Sequence, residues 1–374
     1  MSSAPSQRPF LSSPGRVRKT PYTRRVEQAG VKAYTVYNHT QMPTLFDTAE
    51  SDYRHLKAHV QVWDVSVERQ VQITGRDATT LMNMLTPRDL STLKPGKCMY
   101  VPIVDQDGCM LNDPVAQMPE DGCYWISIAD SDLLLWAKGL AVGFGLEVEV
   151  VEPDVNPLAV QGPKADDLMA RVFGDAVRDI RFFNAARIPI FGEPTIVARS
   201  GFSKQGGFEI YLANRSLAEP LWDALFQAGA DLNVRPGCPN YIERIEAGLL
   251  SYGNDITSDY NPYECGMGKF CQLDKAADFI GRDALRAISK TGPRRQIRSL
   301  SIEGGILSRA GERWVVSYGG RAVGHISSAA WSPDYQTNVA IGTIDEDYWD
   351  ADTVLEVHTP EGDRRATVRA RSFH

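Results

Sequence analysis

The sequence predicts an α+β protein with several domains and a small β domain at its C-terminal end. Its 374 residues exceed what one hydrophobic core usually organises, so two or three domains are expected. Helical and strand-like periodicities alternate through residues 26–290. Within residues 297–374 nearly all apolar runs are short and strand-like, and their spacing is typical of a small barrel or sandwich.

Residues 1–25 form a basic N-terminal arm that is rich in Ser, Pro and Arg and contains no acidic residue. Such a segment is either disordered in solvent or laid over the folded body of the protein. The sequence leaves both alternatives open.

The first elements after this arm alternate between helix and strand. Residues 47–61 predict a helix, and strands are expected at 62–66 and 70–73. Asp77 is positioned to cap a helix that runs to Leu85.

The next elements include a hairpin and a second helix–strand cycle. The β runs 99–104 and 110–117 flank a polar turn at 105–108, which predicts a hairpin. A similar cycle of strands and helices follows over residues 157–229, and residues 236–251 predict a helix with acidic and basic faces.

Composition excludes several classes of function. The net charge of −7 argues against a general nucleic-acid binder, because phosphate contacts need a basic surface. No apolar run approaches the ~20 residues of a membrane span, and the N-terminus has no apolar signal core. Scattered cysteines without a CxxC pair fit a reducing cytoplasm better than a disulfide framework or a zinc site. We therefore expect a cytoplasmic protein with no membrane partner.

Two smaller signals have ordinary explanations. His55 and His59 are spaced to share a helix face and could bind a metal, but such pairs are usually solvated, and no metal is expected. Cys265 could be a nucleophile, but a small apolar core residue is the more common role.

The most informative segment is residues 198–212, which predicts two β runs joined by a Gly-rich turn. In the second run Glu209 and Tyr211 fall on the face opposite to Phe208. A carboxylate held there costs free energy if it is buried without a partner. A flat heterocycle with adjacent N–H donors would provide that partner.

Seven segments, in chain order, resemble motifs of the folate-binding aminomethyltransferase superfamily, which includes the glycine-cleavage T-protein. Each motif alone is weak, but the ordered set covers almost the whole chain. The segments, with the superfamily motif after each, are 62–66 (FDVS), 108–113 (GGxxDD), 159–164 (ALQGPK), 199–209 (RTGYTGEDGFE), 244–256 (RLEAGxxLYGxDM), 261–266 (NPFEVGL) and 326–333 (TSGxxSP).

Within this superfamily the chain most resembles the subgroup that demethylates dimethylsulfoniopropionate. Residues 31–39, 60–73 and 128–136 carry that likeness, as does the turn 203–205, where a T-protein has acidic residues.

The chain also departs from the T-protein pattern at individual positions. Asn112 stands where the T-protein has an aspartate, Val67 and Glu68 replace a His-Met pair, and Phe202 replaces a tyrosine. These departures fall close to where the aminomethyl donor of a T-protein would bind, and they fit a different donor.

The resemblance implies three domains around a central channel, a cloverleaf in which residues 26–290 form two intertwined α+β domains and residues 297–374 a β-barrel. It implies that tetrahydrofolate binds in the channel as methyl acceptor. Glu209 matches the residue that anchors the pterin ring, and Asp113 matches the catalytic aspartate. We expect further folate contacts from Tyr100, Tyr211, Phe202 and Arg244, although Arg244 could instead belong to a structural ion-pair network.

The expected reaction moves a methyl group from a sulfonium sulfur to N5 of tetrahydrofolate, with positional alignment as the main catalytic contribution. A small-molecule sulfonium cation should meet aromatic faces. Candidates are Tyr34, Tyr37, Trp63 and Trp331, and Trp63 could equally be a core residue. Lys32, Arg69 or Lys204 could hold the carboxylate of the donor.

Several alternatives remain open at this stage. Within the superfamily they are glycine-cleavage aminomethyl transfer and demethylation of a methylated amine or a methoxyaromatic compound. Outside enzyme function they are a folate-binding scaffold without chemistry and a pure interaction protein. A monomer and a homodimer are both compatible with the sequence.

Overall fold

A computed structural model describes residues 15–308, 311–370 and 372–373. Its helices are α1 (Thr23–Gln28), α2 (Ala49–Ala58), α3 (Ala78–Leu85), α4 (Leu133–Gly143), α5 (Ala165–Phe173), α6 (Ala218–Ala228), α7 (Tyr241–Ala247) and α8 (Arg282–Thr291). Within these residues, no helix has both the length and the apolar character that crossing a membrane requires.

The strands before the C-terminal region belong to four sheets. They are β1 (Ala33–Tyr37), β2 (Thr40–Leu45), β3 (Val60–Asp64), β4 (Gln70–Thr74), β5 (Cys98–Tyr100), β6 (Ile103–Val104), β7 (Met110–Asn112), β8 (Val115–Glu120), β9 (Cys123–Ser127), β10 (Glu149–Val151), β11 (Asn156–Gln161), β12 (Ala185–Ile190), β13 (Glu193–Ala198), β14 (Gly207–Leu212) and β15 (Val234–Gly237).

A six-stranded sheet of order β12-β13-β14-β11-β3-β15 forms the base of the first α+β unit. Its neighbours are antiparallel except for β15, which runs parallel to β3. Helices α5 and α6 cover one face, where Phe208, Ile210 and Leu212 of β14 join the core. The alternation along β14 therefore turns Glu209 and Tyr211 to the other face, as the sequence predicts.

A five-stranded sheet of order β10-β4-β9-β8-β5 forms the second unit, and its core includes residues of α3 and α4. The predicted hairpin around the turn 105–108 is confirmed, since residues of the run 99–104 pair with residues of the run 110–117. Pro102 and Pro114 interrupt both runs, so β5 pairs with β8 in this sheet while β6 and β7 form a separate ribbon. Proline lacks the N–H that a continuous ladder needs.

The C-terminal strands close into a six-stranded antiparallel barrel, which settles the choice between barrel and sandwich. The strand order is β16-β19-β18-β17-β20-β21. The strands are β16 (Arg295–Ile302), β17 (Trp314–Tyr318), β18 (Arg321–Ser332), β19 (Thr337–Asp345), β20 (Val354–Thr359) and β21 (Gly362–Val368). The predicted α+β class with a C-terminal barrel is confirmed.

The predicted helix over 236–251 is wrong in length. Residues 234–237 form β15, and the helix begins only after Asn240, whose side chain accepts hydrogen bonds from the N–H groups of Ile242 and Glu243 (both 3.1 Å). Every residue from Ile242 to Ala247 is buried, so the charges of α7 are interior rather than solvated.

Residues 1–14 of the basic arm lie outside the described residues, and the rest of the arm lies over the body. Tyr22 is fully buried in the core of the first unit. Arg24 pairs with Glu219, and Arg25 pairs with Asp223 at 2.6 Å.

Asp77 precedes α3 as expected, but its carboxylate does not cap that helix. It accepts a hydrogen bond from the Glu147 N–H (2.8 Å) and so ties the start of α3 to the segment before β10.

Candidate active site

Asp113 and Tyr100 meet at the break in the hairpin. Asp113 lies between β7 and β8, directly before Pro114, and Tyr100 is the last residue of β5. The Tyr100 hydroxyl donates a hydrogen bond to Asp113 Oδ2 (2.5 Å). The Tyr100 ring also packs edge-on against Phe270, with 5.6 Å between centroids. At the break in the ladder, the Asp113 carboxyl group is therefore in contact with the Tyr100 hydroxyl.

The Asp113 carboxyl group titrates close to neutrality. Burial raises its pKa to about 7, the hydrogen bond from Tyr100 opposes this rise, and the charge of Asp255 adds to it. Asp113 can therefore hold or release a proton near pH 7, which suits a group that accepts a proton during a reaction.

A second cluster surrounds Glu209 on β14. Its Oε2 atom accepts hydrogen bonds from the Ser200 hydroxyl (2.5 Å) and from the Tyr211 hydroxyl (3.1 Å). No described residue donates a hydrogen bond to Oε1. Burial raises the pKa of Glu209, while Ser200 and Tyr211 lower it. One carboxylate oxygen is thus fixed and the other is left for a ligand.

Glu68, which departs from the T-protein pattern and is not among the predicted site residues, lies beside this cluster. A chain of hydrogen bonds fixes its place: Gln70 Nε2 donates to the Glu68 carbonyl (2.8 Å), and the Ser127 hydroxyl donates to Gln70 Oε1 (2.9 Å). The Ser127 hydroxyl also lies 3.3 Å from the Tyr211 hydroxyl. Burial, and then the charge of Glu209, raise the pKa of Glu68 well above its ordinary value.

Tyr37 lies between the two clusters. Burial raises its pKa strongly, and the charges of Glu68 and Asp113 both add to the rise. The turn after Tyr37 holds it in place, because Asn38 Nδ2 donates to the carbonyls of Val67 (3.0 Å) and Ile128 (3.1 Å). The hairpin β1–β2 is thereby fastened to the loop that carries Glu68.

Asn112, which replaces a T-protein aspartate, has a structural role. Its amide donates to the Ala129 carbonyl (3.0 Å) and accepts from the Ala129 N–H (3.0 Å). It also donates to the Ser131 hydroxyl (2.6 Å). An aspartate could not donate to that carbonyl, so the amide suits this buried position.

Two residues predicted to contact the substrate, Lys32 and Trp63, already have partners within the protein. Lys32 is exposed and pairs with Asp47 at 3.1 Å, so its charge already has a partner. Trp63 is 1% exposed and its indole N–H donates to Gln61 Oε1 (2.9 Å), which favours the core alternative.

The remaining aromatic candidates lie on different elements. Tyr34 is partly exposed on β1, where burial and the charges of Glu27 and Asp64 raise its pKa to about 12. Trp331 is half-buried on β18 of the barrel, and Phe202 is half-buried in the turn before β14.

Arg244 belongs to a buried network that reaches towards the site. Its guanidinium donates to Asp255 Oδ2 (2.8 Å) and to the Ser328 hydroxyl (2.7 Å). Asp255 also accepts from the Ser327 hydroxyl (2.6 Å), and its charge acts on Asp113. These contacts favour the ion-pair alternative for Arg244.

The other candidates for the donor carboxylate differ in their availability. Arg69 forms a bidentate pair with Glu152, with 2.9 Å between Arg69 Nε and Oε1. Lys204 is exposed, and its ammonium group forms no ion pair within the described residues.

The pair of His55 and His59 and the single Cys265 have structural explanations. His55 Nε2 lies 2.8 Å from the Asn233 carbonyl, and His59 Nδ1 lies 3.0 Å from Lys164 Nζ, so both rings are already engaged. Cys265 is buried in an apolar cluster, and burial raises the pKa of its thiol, which argues against a nucleophile.

Comparison with known proteins supports the same view of the fold. The family described as the GCVT N-terminal domain matches residues 22–275, and the glycine cleavage T-protein C-terminal barrel domain matches residues 295–374. The solved structure of the glycine cleavage system aminomethyltransferase T from Bartonella henselae superposes with a TM-score of 0.84 at 23% identity, covering 96% of this chain and 98% of that one.

Two curated relatives span nearly the full length. The dimethylsulfoniopropionate demethylase DmdA of Ruegeria pomeroyi is 57% identical over 354 residues, which are 95% of this chain and 96% of that protein. An aminomethyltransferase of Caldanaerobacter subterraneus subsp. tengcongensis is 27% identical over 340 residues, which are 89% and 90% of the two chains. On these matches, the chain belongs to the glycine cleavage T-protein family of aminomethyltransferases.

Proposed function

We propose that this protein transfers a methyl group from the sulfonium sulfur of dimethylsulfoniopropionate to N5 of tetrahydrofolate. The products would be 3-(methylthio)propionate and 5-methyltetrahydrofolate. The observation that carries the proposal is the 57% identity, over almost the whole chain, to a dimethylsulfoniopropionate demethylase. Identity to an aminomethyltransferase is only 27%, which disfavours aminomethyl transfer.

The Glu209 cluster fits a pterin ring. Ser200 and Tyr211 hold one carboxylate oxygen, while the other has no donor within the described residues. A carboxylate in this state can accept adjacent N–H groups of a flat heterocycle, and such charge-assisted bonds are strong and directional. Tetrahydrofolate, when bound, supplies the nitrogen that accepts the methyl group. Tyr100 and Phe202 are further candidates for contact with it.

Asp113 is the proposed catalytic residue. The Tyr100 hydroxyl fixes its Oδ2 atom, so the carboxyl group keeps one orientation towards the site. With a pKa of about 7, Asp113 can take up the proton that the reaction releases once the methyl group has moved. A sulfonium departs as a neutral thioether, so this site needs no strong general acid.

The remaining contribution of the protein is positioning. The half-buried ring of Tyr37 and the buried ring of Tyr211 border the site and limit the access of water to the reacting atoms. Holding two reactants in line can supply several kcal/mol of the barrier reduction, roughly 7–11 kcal/mol in the best cases. Tyr34 and Trp331 stay candidates for the donor site, whereas Trp63 and Lys32 already have partners within the protein.

The test is methyl transfer by the purified protein. Dimethylsulfoniopropionate and tetrahydrofolate are incubated with it, and 3-(methylthio)propionate and 5-methyltetrahydrofolate are measured by mass spectrometry. We expect equal amounts of both products, and at least a hundred-fold lower rate for Asp113→Asn with tetrahydrofolate binding retained.

Other results would select an alternative. Methylene-tetrahydrofolate from an aminomethyl donor would indicate T-protein activity. Folate binding without turnover of any methyl donor would indicate a scaffold. Absence of both products with folate bound would overturn the proposed donor.

A further inference from the structure

The candidate site is acidic and has no balancing cation. It contains the carboxyl groups of Glu68, Glu209 and Asp113. Within the described residues, no lysine or arginine forms a hydrogen bond or an ion pair with any of the three, and their pKa values are raised rather than lowered. A site of this kind favours a ligand that brings positive charge.

The three carboxyl groups differ in how they are satisfied. Asp113 accepts from Tyr100, and Glu209 accepts from Ser200 and Tyr211. The Glu68 carboxyl group has no hydrogen-bond donor and no ion pair within the described residues. The Glu68 side chain is half-buried, and a carboxylate that is partly withdrawn from water without a partner costs free energy. The Glu68 carboxyl group is therefore available to interact with a bound ligand.

Hydrogen bonds place the loop that carries Glu68 next to the Glu209 cluster. The Glu68 carbonyl is linked through Gln70 and Ser127 to the hydroxyl of Tyr211, which itself donates to Glu209. Asn38 Nδ2 donates to the carbonyl of Val67, the residue before Glu68. This bond holds the hairpin that carries Tyr37 against the same loop. The loop that carries Glu68 is thus joined to both Tyr37 and Tyr211, and the charge of Glu68 acts on both hydroxyls by raising their pKa values.

A carboxylate near aromatic side chains suits a sulfonium cation. Such a cation has no N–H or O–H to donate, so charge and the faces of aromatic rings are what recognise it. A pterin ring, by contrast, needs acceptors aligned with its N–H groups, and Glu209 already has a fixed oxygen and a free oxygen for that role.

We propose that the Glu68 carboxylate, together with the Tyr37 ring, binds the sulfonium group of the methyl donor. This inference rests on the proposed function, since it names the residue that recognises the donor of that reaction. Glu68 is then a residue that determines specificity for a positively charged donor.

The role predicts a particular kinetic effect. In the transfer, the C–S bonding pair stays on sulfur and a C–N bond forms, so the reacting unit carries one positive charge before and during the methyl shift. A nearby carboxylate therefore stabilises the bound donor and the transition state to a similar extent. Loss of such uniform binding raises KM and leaves kcat nearly unchanged.

The experiment compares the sulfonium donor with an uncharged isostere. Isothermal titration calorimetry gives Kd for dimethylsulfoniopropionate and for 4-methylpentanoate, in which a C–H group replaces the sulfonium sulfur. The proteins are the wild type, Glu68→Gln and the control Glu149→Gln, which changes an exposed glutamate on β10. Kd for tetrahydrofolate is measured for all three.

We expect the wild type and Glu149→Gln to prefer the sulfonium compound at least ten-fold over its isostere. In Glu68→Gln the Kd of the sulfonium compound should rise at least ten-fold, while the Kd values of the isostere and of tetrahydrofolate stay within two-fold. KM should rise in parallel with kcat changed less than three-fold. The unchanged folate and isostere Kd values also show that the variant is folded.

Two outcomes would overturn the inference alone, with the wild type still active. One is a Glu68→Gln protein that keeps the full preference for the sulfonium compound. The other is a variant whose tetrahydrofolate Kd rises instead, which would assign Glu68 to the pterin. A wild-type protein that neither binds nor demethylates dimethylsulfoniopropionate would overturn the proposed function, and the inference with it.

Discussion

At the scale of single residues, the chemistry depends on carboxyl groups whose protonation the fold adjusts. Asp113 has a pKa of about 7 instead of its ordinary value of 3.8, because burial disfavours the carboxylate. Tyr100 opposes that effect by donating to the charged form. The pair therefore determines the pH at which Asp113 becomes able to accept a proton.

This balance predicts the acid limb of the pH–rate profile. Below pH 7 Asp113 is mostly protonated and cannot accept a proton, so kcat/KM should rise with pH through about 7. Tyr100→Phe removes a donor that favours the carboxylate, so the pKa of Asp113 should rise and the limb should move about one pH unit higher. The measurement is kcat/KM between pH 5 and pH 9.

Tyr124→Phe is the matched control, because the hydroxyl of Tyr124 bonds to Thr79 at 2.7 Å and not to a site carboxylate. It should leave the limb in place. An unchanged limb in Tyr100→Phe, or a limb that persists in Asp113→Asn, would assign the titration to another group.

At the scale of elements, the sequence predicts most strands and helices and the hairpin around 105–108, but it does not show where proline interrupts the ladder. The β runs at 99–104 and 110–117 are real, yet Pro102 and Pro114 divide them between two sheets. Asp113 and Tyr100 meet at that division. Local periodicity identifies the two runs and their turn, whereas the break in the ladder depends on the N–H groups that proline lacks.

The same limit applies to the candidate site. Glu209 and Tyr211 could be paired from the alternation along one strand. Glu68 could not be placed beside them, because its position depends on hydrogen bonds from Gln70 and Ser127 that join distant parts of the chain. The charge pattern of α7 indicates acidic and basic faces, but local sequence does not show that neighbouring parts of the fold bury them.

Helix α7 leads to a prediction about the buried ion pair of Arg244 and Asp255, whose side chains are 6% and 0% exposed. Arg244→Met should lower the free energy of unfolding by about 3–5 kcal/mol, because Asp255 keeps a buried charge without its partner. Arg244→Met combined with Asp255→Leu should recover part of that loss. Chemical denaturation measures all three proteins.

Arg54→Met is the control, since Arg54 forms an exposed pair with Glu50 in the same protein and should cost less than about 0.5 kcal/mol. Full stability of Arg244→Met with weakened tetrahydrofolate binding would instead support direct contact between Arg244 and folate.

At the scale of the whole molecule, one apolar cluster joins the barrel to the α+β region. It brings together Tyr53 of α2, Ile245 of α7, Val339 and Ile341 of β19, and Phe373 near the C-terminus. Glu246 lies next to it with a side chain that is 0% exposed. The position of the barrel relative to the site therefore depends on a junction that is partly apolar and partly polar.

Glu246 connects three parts of the chain at this junction. Its Oε1 atom accepts from the hydroxyls of Tyr53 (2.9 Å) and Ser332 (2.6 Å), and Lys57 Nζ lies 3.8 Å from Oε2. Glu246→Ala leaves these groups without their shared acceptor in a buried place. We expect a loss of about 3 kcal/mol in the free energy of unfolding.

The same substitution should expose the connection between α8 and β16, because the barrel is then held less firmly. Lys290 and Arg294 provide trypsin sites there, so limited proteolysis followed by mass spectrometry should show earlier cleavage at these residues. Glu303→Ala, at an exposed barrel glutamate that pairs with Arg365, should cleave like the wild type. Lower stability with cleavage spread over the whole chain would mean that the barrel and the α+β region unfold together, and that Glu246 supports the entire fold rather than the docking of one domain.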